Sequence, residues 1–158
     1  MRRFEESELI LNQDGSVFHL HIKPEQLAHK VILVGDPGRV SLVASHFTDI
    51  EMEVQSREFH SITGKYQGKR ITVASTGIGC DNIDIVVNEL DALVNIDFAT
   101  RTEKAEKTSL EIVRIGTCGG LQEYTPVGTF IVSEKSIGFD GLLNFYAGRN
   151  EVCNLALE

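Results

Sequence analysis

Two short segments of the chain carry residues whose types and spacing could bind an anion. The first has the sequence GDPGR at residues 35–39, and the second begins at Arg114 and runs through the glycine-rich residues 116–120. Glycine lets backbone N–H groups approach a ligand closely, and the planar guanidinium of arginine suits paired contacts with phosphate. A single arginine in such a place is better explained by a salt bridge, because this acidic chain has many carboxylates. The repetition of glycine with arginine favours phosphate.

Each segment follows an apolar run that predicts a buried strand. Residues 31–34 lead into Gly35, and residues 112–115 lead into Gly116. A continuous apolar run closed by glycine or proline is typical of a strand covered on both faces. Arg114 interrupts the second run, and it would need an anionic partner there because burial of an unpaired charge is costly. Open α/β sheets bind ligands beyond the carboxyl ends of their strands, so both segments are expected to reach a ligand.

The rest of the sequence alternates between strand and helix patterns. A helix is predicted after the first segment, and residues 52–75 are predicted to form a β-hairpin that turns at residues 67–69. A glycine-bearing loop then leads to a helix that Asp81 or Asn82 can cap. Further predictions are a short strand or extended arm at 17–22, a surface insertion at 97–109 and a strand at 128–133. Together these elements predict a single α/β domain over residues 1–158, built on a mixed sheet.

The charge of the chain argues against several classes of partner. The formal net charge is −8, from 23 acidic and 15 basic side chains, and no run of Lys or Arg opposes this negative field. We therefore expect no binding to nucleic acid or to anionic membranes. No apolar run approaches the ~20 residues needed to cross a bilayer, and the charged N-terminus lacks the apolar core of a secretory signal. These features predict a cytoplasmic protein.

Other common types of site fit the sequence poorly. His19 and His21 have no further metal ligands nearby in the sequence, so a metal site there is disfavoured. Residues 77–82 depart from the dinucleotide-binding pattern at its third glycine position, and no Walker-type phosphate loop is present. No serine or cysteine has the local context of a known nucleophile, which argues against covalent catalysis. The cysteines are too widely spaced for a disulfide framework or a zinc site: Cys80, Cys118 and Cys153.

Five short motifs occur in an order that resembles a known family. They are VFHL at 17–20, GDPGR at 35–39, REF at 57–59, STGIG at 75–79 and RIGT at 114–117. The series resembles the uridine phosphorylases of the purine/uridine nucleoside phosphorylase family, and the resemblance runs from about residue 17 to residue 146. It implies a three-layer α/β fold around a mixed, twisted sheet, of which the C-terminal part is missing. It also implies inorganic phosphate as co-substrate and no other cofactor.

The resemblance implies a role for each matching position. Catalysis would rest on Arg39, Arg114 and Thr117. The phosphate-binding set would be Gly35, Arg39, Arg57, Arg114 and Thr117, with Arg57 reaching the phosphate of a neighbouring subunit. The nucleoside-binding set would be His19, Cys118 and Gly119. In that set the histidine touches the ribose across the same interface, the glycine lies against the base, and Cys118 replaces a hydroxyl residue found in many relatives.

The resemblance also bears on ions and assembly. Glu58 and the carbonyl group of Ile78 could hold a monovalent cation between subunits, and no other metal is expected. Shared sites of this kind imply a homodimer or a hexamer of dimers. Cleavage of the nucleoside would proceed through a cationic, oxocarbenium-like transition state, which phosphate aligned by arginines stabilises.

The implied reaction is the phosphate-dependent cleavage of the N-glycosidic bond of uridine. Its products are uracil and ribose 1-phosphate, in nucleoside catabolism and pyrimidine salvage. A purine nucleoside phosphorylase and a non-catalytic phosphate- or nucleoside-binding fragment are the alternatives, whereas a hydrolytic nucleosidase is disfavoured because water needs no set of arginines. Relatives continue well past residue 158, with segments that clamp the ribose and read the base. We therefore expect this chain to be incomplete for activity by itself.

Overall fold

The structure, a computed structural model, describes residues 2–152; Met1 and residues 153–158, which include Cys153, lie outside the described part. It divides into two compact units, the first ending at Gly116 and the second beginning at Thr117. The first unit contains a 3₁₀ turn (Pro24–Gln26). Its helices and strands are β1 (Lys30–Val34), α1 (Gly38–Ala44), β2 (Thr48–Ser56), β3 (Phe59–Tyr66), β4 (Lys69–Ser75), α2 (Cys80–Asn95), β5 (Ile96–Asp97), β6 (Thr102–Glu103) and β7 (Glu111–Ile115). The second unit contains a 3₁₀ turn (Leu142–Phe145) and α3 (Arg149–Val152).

Three parallel strands lie side by side in the main sheet. Over the described residues the strand order is β2-β3-β4-β1-β7. β1 pairs in parallel with β4 on one side and with β7 on the other, and Val34 is in register with both Ser75 and Ile115. The three strands therefore end together, at what we call the carboxyl edge of the sheet. β3 is antiparallel to β2 and β4, so the sheet is mixed, as the sequence predicted, and the β2–β3 turn also lies at the carboxyl edge.

Helices cover both faces of this sheet and produce three layers. Along β1, Val31 and Leu33 belong to a core that includes residues of α2, whereas Val34 belongs to a second core that includes residues of α1. The alternation follows from the two-residue period of a strand. α2 contributes Val86, Leu90 and Leu93 to the first core, at the spacing expected for one face of a helix.

The start of α2 differs from the sequence prediction. Its N-cap is Gly79, with a φ of 105°, and no side chain caps the helix. The prediction that Asp81 or Asn82 caps α2 is therefore wrong. Glycine adopts this positive φ without steric cost, so the chain can enter the helix before either candidate cap is reached. No helix within residues 2–152 combines the length and hydropathy required to cross a bilayer.

Residues 17–22 form a turn rather than the predicted short strand or extended arm. The amide of His21 donates to the carbonyl oxygen of Val17 at 3.1 Å, and His21 has a positive φ of 53°. The carboxylate of Glu89, on α2, accepts the backbone N–H groups of two residues in this turn. These contacts satisfy donors that a neighbouring strand would otherwise have to pair.

β7 exposes side chains that the sequence predicted to be buried. All of its residues are exposed, and Val113 is 61% exposed. β7 is the edge strand of the described sheet, and none of its residues belongs to the cores that cover the two faces of β1. Lys30 donates a hydrogen bond from β1 to Glu111, and this bond holds the pKa of the Glu111 carboxyl below its usual range.

The predicted insertion at residues 97–109 is more ordered than a simple loop. It contains most of the β5–β6 pair, and the side chain of Arg101 donates to the backbone carbonyl groups of Phe4, Glu5 and Leu9. Arg101 therefore ties the N-terminal segment to the insertion. Because carbonyl groups have no strong sequence signature, this use of an arginine could not be read from composition or spacing.

In the second unit, the strand predicted at residues 128–133 is not formed. The described backbone of this unit runs through turns. In two of them, the backbone N–H and the hydroxyl group of Thr125 donate to the carbonyl oxygen of Gln122, and those of Thr129 donate to the carbonyl oxygen of Pro126. The apolar side chains of this unit are largely exposed, as at Val132, which is 94% exposed. An isolated β-prone segment gains little from being extended when no neighbouring strand accepts its hydrogen bonds.

Candidate active site at the carboxyl edge

The guanidinium group of Arg114 lies against glycines at the carboxyl edge. A β-carbon placed on Gly35 would lie 3.6 Å from Arg114 Nη2 and 3.8 Å from the carbonyl oxygen of Gly77. A β-carbon on Gly116 would lie 2.5 Å from Arg114 Nη1, closer than any side chain permits. The loops after β1 and β7 thus meet at one arginine, the loop after β4 passes beside Gly35, and the absence of side chains on Gly35 and Gly116 leaves room for the guanidinium.

Glu58 adds a carboxylate beside the same loops. A β-carbon on Gly77, whose φ is 67°, would lie 2.9 Å from Glu58 Cγ and 2.8 Å from Asn82 Nδ2. The carbonyl oxygen of Ile78 accepts a hydrogen bond from Asn82 Nδ2 at 3.0 Å. The two predicted cation ligands, Glu58 and Ile78, therefore lie on neighbouring segments, and their role stays a prediction. No group of three or more His, Cys, Asp and Glu side chains within residues 2–152 is arranged to hold a metal ion.

The turn at residues 35–39 is held by its own hydrogen bonds. Asp36 Oδ1 accepts the backbone N–H of Gly38 at 2.8 Å, and the backbone N–H of Arg39 donates to the carbonyl oxygen of Asp36 at 3.0 Å. Val40, the next residue, is fully buried in the core beneath α1. Arg39 is thus presented from a short, internally bonded turn with a buried anchor on its C-terminal side.

Arg57 occupies a strained position in the tight turn between β2 and β3. Ser56 pairs with Phe59, so the turn consists of Arg57 and Glu58, and the φ of Arg57 is 55°. A non-glycine residue in the left-handed region costs on the order of 1 kcal/mol or more, and such strain often marks a functional position. The Arg57 guanidinium lies 5.9 Å from the centre of the Phe18 ring, in a cation–π contact.

The structure brings His19 to the same patch as Arg57. The rings of His19 and Phe18 meet edge to face, with their centres 4.9 Å apart. His19 Nδ1 lies 2.7 Å from Glu89 Oε1, and the backbone N–H of His19 donates to the same carboxylate at 2.9 Å. With Nδ1 donating to Glu89, the Nε2 atom is left as an acceptor for a ligand hydroxyl group.

Glu89 is a residue that the sequence reasoning missed. It lies on α2 among the buried positions Val86, Leu90 and Leu93, where a carboxylate must find hydrogen-bond partners. Its side chain is 12% exposed and faces three hydrogen-bond partners: the His19 ring and the backbone N–H groups of His19 and Leu20. An acidic residue within the apolar stripe of a helix was the available signal.

Among residues 2–152, no carboxylate pairs with the three predicted phosphate-binding arginines. Within residues 2–152, the side chains of Arg39, Arg57 and Arg114 take part in no described ion pair, although other arginines do, as in the Arg70–Glu51 pair. The salt-bridge alternative for Arg114 is therefore unsupported over these residues. The expectation that Arg114 is buried is wrong, because it stands on the exposed edge strand β7.

Thr117, Cys118 and Gly119 belong to the second unit and are exposed there. The Cys118 thiol is free, and a β-carbon on Gly119 would meet no atom within 4 Å. These positions directly follow the β7 loop in the chain. Their roles in binding phosphate, sugar and base stay predictions.

Residues 29–155 match the family model described as Phosphorylase superfamily. This chain belongs to the phosphorylase superfamily. The matched region contains every predicted site residue except His19.

Individual relatives agree with this assignment. The chain is 29% identical to the uridine phosphorylase of Thermococcus kodakarensis, over 92% of this chain and 48% of that protein. It is 36% identical to the DeoD-type purine nucleoside phosphorylase of Alkaliphilus metalliredigens, over 66% of this chain and 40% of that protein. The fold is similar to that of a Trypanosoma brucei nucleoside phosphorylase described as showing uridine phosphorylase activity, with a TM-score of 0.69 and 36% identity over 75% of this chain and 41% of that one.

These comparisons confirm the predicted fold class and family. The five-stranded mixed sheet with helices on both faces is the nucleoside phosphorylase architecture. The chain spans less than half the length of each of these relatives. Names for uridine and for purine nucleoside phosphorylases both occur among the relatives, so family membership leaves the base open.

The strain at Arg57 predicts that two substitutions at this position differ in stability. Arg57→Gly should be more stable than Arg57→Ala by about 1 kcal/mol, because only glycine adopts this positive φ without cost. Urea unfolding of the two variants measures the difference. Both variants also remove the guanidinium group that the family resemblance predicts to bind phosphate. Equal stability of the two variants would contradict the assigned turn geometry.

Proposed function

We propose that this chain provides the phosphate-binding half of a nucleoside phosphorylase that cleaves uridine with phosphate to give uracil and ribose 1-phosphate. The observation that carries the proposal is the Arg114 guanidinium lying against Gly35 and Gly116, with the β4 loop beside Gly35 and with no carboxylate partner for Arg114 among residues 2–152. Glycine backbone and an unpaired guanidinium are the groups that bind a phosphate dianion.

The arginines position the phosphate for its attack on the sugar. Arg39 and Arg114, with Thr117, hold phosphate so that one oxygen faces the anomeric carbon of the sugar. As that oxygen attacks, the bond from the anomeric carbon to the base nitrogen breaks and the base leaves with the bonding electrons. The phosphate charge stabilises the positive sugar in the transition state, so the protein supplies position and electrostatics rather than a nucleophile.

Nucleoside contacts come from His19, Cys118 and Gly119. His19 accepts a hydrogen bond from a ribose hydroxyl group through Nε2, because Glu89 occupies Nδ1. Gly119 lies against the base, and Cys118 is near the sugar. Uridine is preferred over a purine nucleoside on the strength of the five motifs and of the T. brucei neighbour. A purine nucleoside is the second candidate, because the 36% identical DeoD-type relative is named for that activity.

The site is completed by a second copy of the chain. His19 and Arg57 lie together on one patch of the first unit, where both contact the Phe18 ring. Such a patch fits a homodimer in which each subunit contributes both residues to the site of its partner. A monovalent cation held by Glu58 and the Ile78 carbonyl group would stiffen the same region.

The phosphate site is tested by removing one arginine at a time. Arg39→Ala and Arg114→Ala should each weaken phosphate binding by about 1–3 kcal/mol, since each removes a charge-assisted contact. Isothermal titration calorimetry with the 158-residue chain measures the affinity. Arg2→Ala is the matched control, because Arg2 is already paired with Glu8. Unchanged affinity in both site variants would overturn the phosphate assignment.

The substrate is tested by comparing two nucleosides with and without phosphate. We expect uracil release from uridine to require phosphate and to exceed hypoxanthine release from inosine. Faster release from inosine would assign the site to purine nucleosides, and base release without phosphate would indicate hydrolysis. Phosphate binding with no release from either nucleoside would favour the non-catalytic alternative.

The shared site is tested by mixing two defective variants. In the proposed dimer, each site combines Arg114 of one subunit with Arg57 of its partner. A dimer that contains one Arg57→Ala chain and one Arg114→Ala chain therefore has one intact site, and a randomly mixed population should regain about a quarter of the phosphate sites. Calorimetric stoichiometry after unfolding and refolding the mixture measures this recovery. No recovery, or a monomer in light scattering, would show that each chain builds its site alone.

A further inference from the structure

His60 is a buried side chain that the proposed mechanism does not use. It lies on β3 and is 7% exposed. By the alternation along β3, it faces the α1 side of the sheet together with Ile62. A buried imidazole needs hydrogen-bond partners, so the partners of its two ring nitrogens indicate the role of the residue.

Both ring nitrogens of His60 face acceptors. Nε2 lies 2.9 Å from Glu53 Oε1, on β2, and Nδ1 lies 3.4 Å from the carbonyl oxygen of Pro37. An ionised carboxylate and a backbone carbonyl group can only accept, so both bonds form together when each ring nitrogen carries a proton. The ring then connects β2 to the turn at residues 35–39.

The backbone of His60 is itself held in place. Its N–H donates to Ser75 Oγ at 2.8 Å, and the Ser75 hydroxyl donates to the carbonyl oxygen of Glu58 at 2.7 Å. Ser75 is the last residue of β4 and is fully buried. The imidazole therefore projects from a fixed point at the carboxyl edge, which allows it to restrain a neighbouring loop.

The Pro37 carbonyl group is at a sensitive place in that loop. It also accepts the backbone N–H of Val40 at 3.1 Å, while the N–H of Arg39 donates to Asp36. A restraint on Pro37 thus acts on the turn two residues before Arg39 and, through the Val40 amide, on the residue that follows Arg39. Glu53, which is exposed, holds the far side of the ring and sets its orientation.

We propose that His60 is a positioning residue for phosphate: it holds the Pro37 carbonyl group so that the turn presents Arg39 to the anion. This inference rests on the proposed function, since it assigns a role within the same phosphate site. His60 does not touch phosphate in this arrangement. It acts through the turn.

The test is phosphate affinity in a double-mutant cycle. His60→Gln should weaken phosphate binding about three- to tenfold, the loss expected for one hydrogen bond. In the Arg39→Ala background the same change should have almost no further effect, because the residue that His60 positions is gone. A merely structural role would give the same loss in both backgrounds, and that outcome would overturn the proposal.

Two further variants guard against misfolding and non-specific effects. Glu53→Ala removes an exposed partner of the ring and should weaken phosphate binding in the same direction, but less. His46→Gln changes an exposed histidine just beyond α1 and should leave the affinity unchanged. Wild-type affinity in a folded His60→Gln variant would overturn the proposal.

A measurement without ligand separates this inference from the proposed function. Hydrogen exchange at the Arg39 and Val40 amides should become faster in His60→Gln, while amides of α2 keep their protection. If the wild-type chain bound no phosphate, the proposed function would fail. Unchanged exchange at these two amides would show that His60 does not hold the turn.

Discussion

β1 is hydrogen-bonded in parallel to β4 on one side and to β7 on the other, and the candidate site depends on that register. Val34 lies opposite both Ser75 and Ile115, so the segments that follow these residues leave the sheet side by side. A slip of one residue would turn every side chain of a strand to the opposite face. The burial of β1 on both faces makes such a slip costly, and it thereby holds the glycine loops around Arg114.

Buried polar contacts connect the parts that the register brings together. Thr63 and Thr72 hydroxyl groups lie 2.7 Å apart between β3 and β4, and Thr72 also accepts the backbone N–H of Ala28. Ser75 links β4 to the start of β3, and Glu89 links α2 to the turn at residues 17–22. A buried polar group left without its partner costs about 1–3 kcal/mol, so each contact favours one arrangement of its elements. The loops that carry the candidate site are therefore anchored at their bases.

Glycine and one strained arginine shape the surface above these anchors. Gly77 and Gly79 have positive φ values, and Gly77 also has no room for a side chain beside Glu58. Arg57 also adopts a positive φ, so the turn carries a guanidinium group at a position where the backbone conformation favours glycine. Positions of this kind are kept by the surrounding fold, and they are typical of binding sites rather than of the core. Membership of the phosphorylase superfamily is consistent with this design.

Much of the architecture could be predicted from local patterns in the sequence. The apolar run before Gly35, the helix after it, the hairpin turn near residue 67 and the glycine loop before α2 are features of short segments, and all are present. The two glycine–arginine segments at strand ends were equally visible, because residue type and spacing alone determine them. The order of five motifs indicated the family that the comparisons confirmed.

The tertiary structure decided which distant segments meet. His19 and Glu89 are 70 residues apart, and no periodicity in either segment indicates that a carboxylate of α2 would bind the turn. His60 reads as an ordinary strand residue until Pro37 is placed beside its ring. The run at residues 112–115 has the pattern of a buried strand, yet its exposure depends on what packs against its two faces, and neither core of the sheet includes it. Local sequence sets the conformation of each segment, whereas burial and hydrogen-bond partners depend on long-range pairing, which only the folded chain specifies.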